Sequence, residues 1–217
     1  MIPMSAPMQE TLAAGIILTT HKFTAESNFI NPMCGSGTIA IEAALIQANI
    51  APGLIRNNFG FLHSLLCNKN QWAELRAQAR AEVRKQTNKK IFASDIDPNA
   101  VNAARKNAQA AGIEDLIEFG IIDISDSPVP TGKGIVMINP EYGIRLGDEK
   151  TLEDTYRKIG NFLKHKCTGY AGYVFTGNTK LSGKVGLKSK RRIPFNSGTL
   201  ECRLYEYELY EGKREER

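Results

Sequence analysis

Residues 31–48, NPMCGSGTIAIEAALIQA, follow the short run NFI and decide how the rest of the chain is read. A short apolar strand that breaks into a Gly-rich turn and continues as an Ala-rich helix is how α/β proteins aim backbone N–H groups and a helix N-terminus at a nucleotide-like ligand. Gly35 and Gly37 supply backbone that takes positive φ and approaches such a ligand closely. Thr38, Ile39, Ala40 and Ile41 restart the apolar period of a helix that runs to about Asn49. That helix is apolar on most sides, so burial is expected.

Upstream, Ala6 to Thr20 (APMQETLAAGIILTT) has the pattern of a helix, with Pro7 in a first turn and Leu12, Ile16 and Ile17 on one side. It arrives just before the first strand, expected at Ser27 to Ile30, and would lie over the open end of a sheet. Its run LAAGIILTT is preceded by Glu10 and by no Lys or Arg, unlike the core of a secretion signal.

Downstream, the chain makes a long excursion between Ile50 and Lys90, through APGLIRNNFGF, a polar patch at Asn68 to Asn70 and QWAELRAQARAEVRKQ. Trp72, Leu75, Ala79 and Val83 recur at helical spacing. Arg76, Arg80, Arg84 and Lys85 take the remaining faces, as solvated charges or as contacts to RNA phosphate. Lys90 to Ile96, KIFASDI, reads as a strand ending in acid at Asp95. Asp97 and Pro98 make a helix N-cap with proline at the first position, and Gly112 sits where a C-terminal glycine cap belongs. LIEFGIID is a further strand ending at Asp123, and GIVMIN another ending at Asn139.

Thr151 to Lys166 is an amphipathic helix. Thr151 and Asp154 have capping-box spacing, Leu152, Tyr156, Ile159 and Leu163 form the apolar face, and Lys164 and Lys166 complement the helix C-terminus. GYAGYVFTG follows as a strand. From Lys184 onward no helical period remains, and the segment reads as a basic loop, a turn at Asn196 to Gly198 and a final strand. In that strand Leu200, Cys202 and Leu204 alternate before Tyr205, Tyr207 and Leu209 take over, by a bulge or by burial of both faces. The tail 210–217, with KREER, is expected to be disordered.

Alternating strands and helices with polar residues at strand C-termini imply a doubly wound α/β sheet whose ligand crevice lies at those ends. Asn31, the Gly turn, Asp95, Asp123 and Asn139 are expected to converge there. The 217 residues, 42% hydrophobic and without a linker, suit a single domain over 1–217. A formal charge of +5 is compatible with a polyanionic partner without requiring one. Four cysteines without a CxxC, and three histidines without a ligand pair, argue against structural zinc or a disulfide framework and for a reducing cytoplasm. No metal is expected, and no apolar run approaches the roughly 20 residues of a membrane helix.

The choice of ligand narrows next. Gly35 to Ala40 matches GxGxxA, a nicotinamide or flavin nucleotide signature that is weak alone. In that fold a ribose-binding acid follows about 20 residues on. Here the next strand ending in acid comes only after the excursion, and Pro32 crowds the turn. S-adenosylmethionine fits better, with its amino-acid end on the Gly turn, its ribose diol on Asp95 and its adenine amine at Asp123, because carboxylates accept such hydrogen bonds. Asn139, Pro140, Glu141 and Tyr142 then resemble the NPPY signature of methyltransferases acting on planar amino groups. The amine lone pair is delocalised; Asn139 and a backbone carbonyl would accept its protons while Tyr142 stacks on the ring.

Five strings in order, APMQETLAA, NPMCGSGTIAIEAALIQANIAPG, SDIDPNAV, NPEYGIRLGD and GLKSKRRIPFNSGTLECRLYEYELY, resemble the catalytic domain of the THUMP-associated class I RNA methyltransferases. That family includes the bacterial 23S rRNA guanine-N2 methyltransferase and tRNA guanine-N2 relatives. The resemblance implies a Rossmann-like class I methyltransferase fold, a seven-stranded sheet whose last two strands pair antiparallel, S-adenosylmethionine as donor and a guanine in structured RNA as acceptor. It assigns Asn139 to Tyr142 to the target base, and Thr11, Asn31, Met33, Cys34, Gly35, Gly37, Asp95, Ile96 and Asp123 to the donor. Lys184, Lys188, Lys190, Arg191 and Arg192 are candidate phosphate contacts or a solvated loop.

Three departures stand out. The family begins its Gly turn with Asp where this chain has Asn31, which weakens pairing with the donor's ammonium. Glu141 replaces the second proline of NPPY and puts a charge beside the base. No counterpart of the THUMP module is read in this sequence, which fits a fragment, a protein that works with a separate RNA-binding partner, or a degraded copy with reduced activity. The rival readings are an acceptor at adenine N6 or a protein glutamine amide, and an RNA-binding paralogue impaired in catalysis.

Overall fold

The architecture grows from β1 (Asn28–Pro32), every residue of which is buried. The computed structural model describes residues 8–84, 89–141 and 149–210. β1 is flanked by β2 (Ile91–Asp95) and β4 (Gly134–Ile138), and the sheet is completed by β3 (Ile117–Ile121), β5 (Ala171–Thr176), β6 (Arg191–Ser197) and β7 (Leu200–Glu208). The strand order is β3-β2-β1-β4-β5-β7-β6, with β1 to β5 parallel and β7 antiparallel to both of its neighbours. This is the seven-stranded Rossmann-like sheet with the antiparallel closing pair. Strand order reverses between β1 and β4, which puts the topological switch point, and so the crevice, at their C-terminal ends.

Helices cover both faces. On one face α1 (Glu10–Thr19), α2 (Thr38–Gln47) and α4 (Pro98–Ala110) bury Ile16, Ile17, Leu45 and Ala104 against Phe29, Met137 and Phe175. On the other α5 (Glu149–Lys166) buries Tyr156, Ile159 and Leu163 against Ile30, Val136 and Tyr205. The helix ends have local causes. Asp97 accepts from the Asn99 N–H at 2.9 Å and Pro98 opens α4, while Gly112 at φ +70° closes it. Asn49 at φ +54° ends α2, with the Ile50 N–H bonded to the Leu45 carbonyl at 2.8 Å.

Several expectations are corrected. The first helix begins at Glu10, since Gln9 has extended backbone, and β1 runs on to Pro32. Thr151 is interior to α5, its carbonyl accepting from the Thr155 hydroxyl, and Asp154 pairs with Arg157 at 2.7 Å, so the two form no capping box. Helix α3 (Lys69–Ala81), by contrast, agrees with a surface helix: none of its residues is buried, and Leu75 is exposed. The basic loop is in part β6, and the β5·β7 register runs unbroken from Ala171↔Glu208 to Thr176↔Arg203. Burial of both faces, without a bulge there, therefore explains β7: Cys202 and Leu204 join one cluster, Tyr205 and Tyr207 the other. Lys85 and residues 211–217 of the tail lie outside the described residues, while Tyr210 is described and exposed.

Candidate active site

The turn after β1 is held from three directions. Asn31, 1% exposed, donates from Nδ2 to the Met137 carbonyl at 2.8 Å and so ties β1 to β4 at the switch point; its Oδ1 is buried without a partner among the described residues. The Cys34 N–H bonds the Ser94 carbonyl of β2 at 2.8 Å, and the Gly35 N–H bonds Asp95 Oδ2 at 2.9 Å. From α4, Asn107 Nδ2 donates to the Ser36 carbonyl at 3.0 Å. Met33, Gly35 and Gly37 have φ of +62°, +55° and +84°. Gly35 is open: an added Cβ would meet nothing within 4 Å. Gly37 is glycine for another reason than close approach to a ligand, because its Cβ would lie 2.8 Å from the Ala104 Cβ. Burial pushes the Cys34 thiol up to about 12, so the sulfur stays protonated and is no nucleophile.

The acids reach the same edge but are differently employed. Asp95 accepts from Gly35 N–H through Oδ2 and from Asp97 N–H through Oδ1 at 3.1 Å, which fixes its carboxylate at the mouth of the turn. Asp123 accepts from the Ser125 N–H at 2.8 Å and lies 3.5 Å from Lys158 Nζ on α5. The Ser125 hydrogen bond, helped by Lys158, holds its carboxyl below the usual range. Ile96 is 68% exposed beside Asp95. Asn139 and Pro140 follow β4 directly; Asn139 Oδ1 is buried without a partner among the described residues, Pro140 is buried and Glu141 exposed. Tyr142 lies outside the described residues. Thr11 is exposed in the first turn of α1. Among the described residues no three His, Cys, Asp or Glu side chains cluster as for a metal, and no helix is long and apolar enough to cross a membrane.

A profile of the RMKL-like methyltransferase domain matches residues 2–206. The chain belongs to that family. The Ribosomal RNA large subunit methyltransferase K/L of Shewanella pealeana is 37% identical over 94% of this RMKL-like chain and 29% of its own length. A Synechocystis sp. relative, slr0064, whose name carries an unproven RNA methyltransferase activity, is 37% identical over 95% of this chain and 53% of its own. The chain thus spans about half or less of these relatives. The crystal structure of SMU.472 complexed with SAH superposes with a TM-score of 0.88 at 30% identity, over 97% of this chain and 55% of that one. A Listeria monocytogenes structure predicted to be an N6-adenine-specific DNA methylase gives 0.85 at 34% identity, over 96% of this chain and 53% of that one.

Within the RMKL-like domain the basic run is mostly engaged. Lys184 pairs with Glu153 at 2.8 Å, Lys190 with Glu208, and Arg191 with the buried Glu206 at 2.6 Å. Arg192 bonds the Ser189 hydroxyl at 3.0 Å and lies over the Tyr205 ring, which leaves Lys188 exposed and outside these pairs. On the excursion, Arg76 bonds the carbonyls of Leu54 and Arg56, and Arg84 that of Gln47. Two site residues escaped the sequence reading. Asn107 looks like any helix residue of AVNAARKNAQAA, although a buried amide opposite the Gly turn is a signal of a backbone clamp. Ile121, 57% exposed and in register with Asp95, was hidden in the apolar pattern of its strand.

Proposed function

We propose that this chain is an S-adenosylmethionine-dependent RNA methyltransferase domain whose acceptor is an exocyclic amine, guanine N2 of large-subunit rRNA first and of tRNA second. The observation that carries the reading is Asn139 Oδ1, an amide oxygen buried without a partner among the described residues, directly after β4 at the switch point. An acceptor left unsatisfied in a folded chain costs stability, and an amine donor would satisfy it. When bound, the donor supplies an electrophilic methyl group on a sulfonium.

Asn139 would orient the acceptor amine by accepting one of its protons, so that the nitrogen lone pair faces the methyl group in line. No strong base is required, because the positive charge on nitrogen makes the departing proton acidic. Pro140 keeps the backbone after Asn139 rigid, and Tyr142 is the candidate stacking partner of the base. Asp95, oriented by two N–H groups, retains lone pairs for a ribose diol. Ile96 and Ile121 offer an apolar ledge for the adenine, and Asp123 an acceptor for its amine once Lys158 yields. The open backbone at Gly35 suits the amino-acid end. Lys188, with the outer ends of the other cations in its run, would meet phosphate. The longer relatives favour a further RNA-binding module as partner, and rRNA as substrate favours the cytoplasm.

The test is transfer of a labelled methyl group to undermodified rRNA and tRNA, followed by nucleoside analysis. N2-methylguanosine is the expected product, and Asn139→Ala should reduce kcat by about a hundredfold or more with donor affinity retained. The Listeria neighbour favours a second reading, an adenine N6 acceptor, for which the product would be N6-methyladenosine. Donor binding without transfer to any nucleic acid would leave an RNA-binding domain impaired in catalysis.

A further inference from the structure

The donor's amino-acid end carries an ammonium group, and Asn31, where the resembling family has Asp, offers it no charge. The negative charge lies on the adjacent helices. Glu42 is 8% exposed on the second turn of α2 and, among the described residues, has no hydrogen bond or ion pair. The charge that acts on it is another carboxylate, Glu10, the first residue of α1. At the far end of α2, Gln47 Nε2 donates to the carbonyls of Ala25 and Ser27, just before β1. The two helices therefore run side by side in the same sense, with Glu10 at the start of α1 and Glu42 one turn into α2.

The elements packed on α2 bring no cation to this pair. Asp95 serves the turn, Arg105 on α4 pairs with Glu114, Glu118 on β3 pairs with Lys90, and Lys106 is exposed on α4. A second, independent feature points to the same ligand. Phe29 and Ile30 pack on opposite faces of the sheet, so Asn31 faces the side covered by α1 and α2, and its buried Oδ1 lacks a donor. A carboxylate without a cation on the helix that follows the Gly turn, and an amide oxygen without a donor on the strand that precedes it, together form the complement of a primary ammonium.

We infer that Glu42, supported by Glu10 and by the amide oxygen of Asn31, holds the α-ammonium of the methyl donor. The inference rests on the donor proposed above and supplies the charge that Asn31 does not. The role is in binding. Because burial raises Glu42 from 4.5 to about 7, with Glu10 adding to the effect, the free protein carries a proton there that an arriving ammonium displaces.

Calorimetry with S-adenosylhomocysteine and with its des-amino analogue tests this on the whole chain. In the wild type at pH 7, S-adenosylhomocysteine should bind with release of about half a proton, read from the dependence of the enthalpy on buffer ionisation heat. Glu42→Gln should abolish that release and weaken S-adenosylhomocysteine by about 10- to 100-fold, while changing the des-amino analogue less than about twofold. Glu10→Gln keeps the Glu42 carboxylate and should preserve discrimination between the two ligands. Equal losses for both ligands in Glu42→Gln, or a wild type that binds both alike, would overturn the inference and leave the donor site standing. A wild type that binds neither would overturn the donor reading and this inference with it. Thermal melting of each variant separates a lost contact from a lost fold.

Discussion

The Gly-rich turn at 33–37 and the excursion at 50–84 lie at opposite ends of the same helix, α2, and differ in what holds them. The turn is fixed by partners distant in sequence: Asp95 and Ser94 from β2, and Asn107 from α4. The excursion is held mostly by itself. Phe59, Phe61 and Trp72 pack ring on ring, with Phe61 and Trp72 centroids 5.0 Å apart, and Arg76 ties α3 to the carbonyls before it. Its moorings to the body include Arg84 N–H to the Ala48 carbonyl at 2.8 Å and Asn49 Nδ2 to the Glu82 carbonyl at 3.2 Å. None of residues 50–84 is buried, and Leu65 and Leu66 are fully exposed. A segment with few core contacts opens locally at low cost, whereas a segment tied to two other elements opens only with them.

Four substitutions would break or sharpen this contrast. The largest effect is expected at Gly37→Ala, which combines a left-handed backbone at φ +84° with a Cβ 2.8 Å from that of Ala104. A loss of about 2–4 kcal/mol in urea unfolding follows from strain plus overpacking; an unchanged midpoint would show that α2 and α4 separate freely. Asp95→Ala removes the acceptor of two N–H groups and should cost about 1.5–3 kcal/mol while abolishing calorimetric binding of S-adenosylhomocysteine. Retained binding would remove Asp95 from the donor site.

Glu42→Gln should act in the opposite direction. The folded chain keeps a proton on Glu42 that the unfolded chain loses between about pH 4.5 and 7, so wild-type stability falls as pH rises through that window. The Gln variant escapes this loss, and unfolding at pH 8 should show it more stable by about 2 kcal/mol, with little difference at pH 4. A difference independent of pH would mean that the group does not titrate there. Least is expected of Leu66→Ser in the excursion, within about 0.5 kcal/mol of the wild type. A larger loss would show that the exposed leucines serve the fold after all.

What could be read in the sequence was whatever a few neighbouring residues decide. The Gly turn, the Asp97–Pro98 cap, the Gly112 stop, the apolar face of α5 and the delivery of Asn31, Asp95, Asp123 and Asn139 to strand ends are set by side-chain size, backbone preference and spacing within a turn or two. They sufficed for a doubly wound α/β sheet and for the edge that gathers the candidate site. Where the same local signals misled, they did not say where the element begins or what covers it. Thr151 has the residues of a capping box, yet the helix starts earlier, and the apolar spacing of α3 found no core to meet.

The roles of polar side chains were decided only by the tertiary structure, because one donor or acceptor cannot tell from its neighbours in sequence which group will face it. Asn31 bonds a carbonyl 106 residues away. Lys184, Lys190 and Arg191 look free in the sequence, and the fold gives each a carboxylate. Glu42 looks like one polar residue on an apolar helix, and the packing of α1 beside α2 leaves it buried, without a cation, next to Glu10. The sequence fixes which groups exist and which strand end they reach; burial and the partner across the crevice determine what each can do.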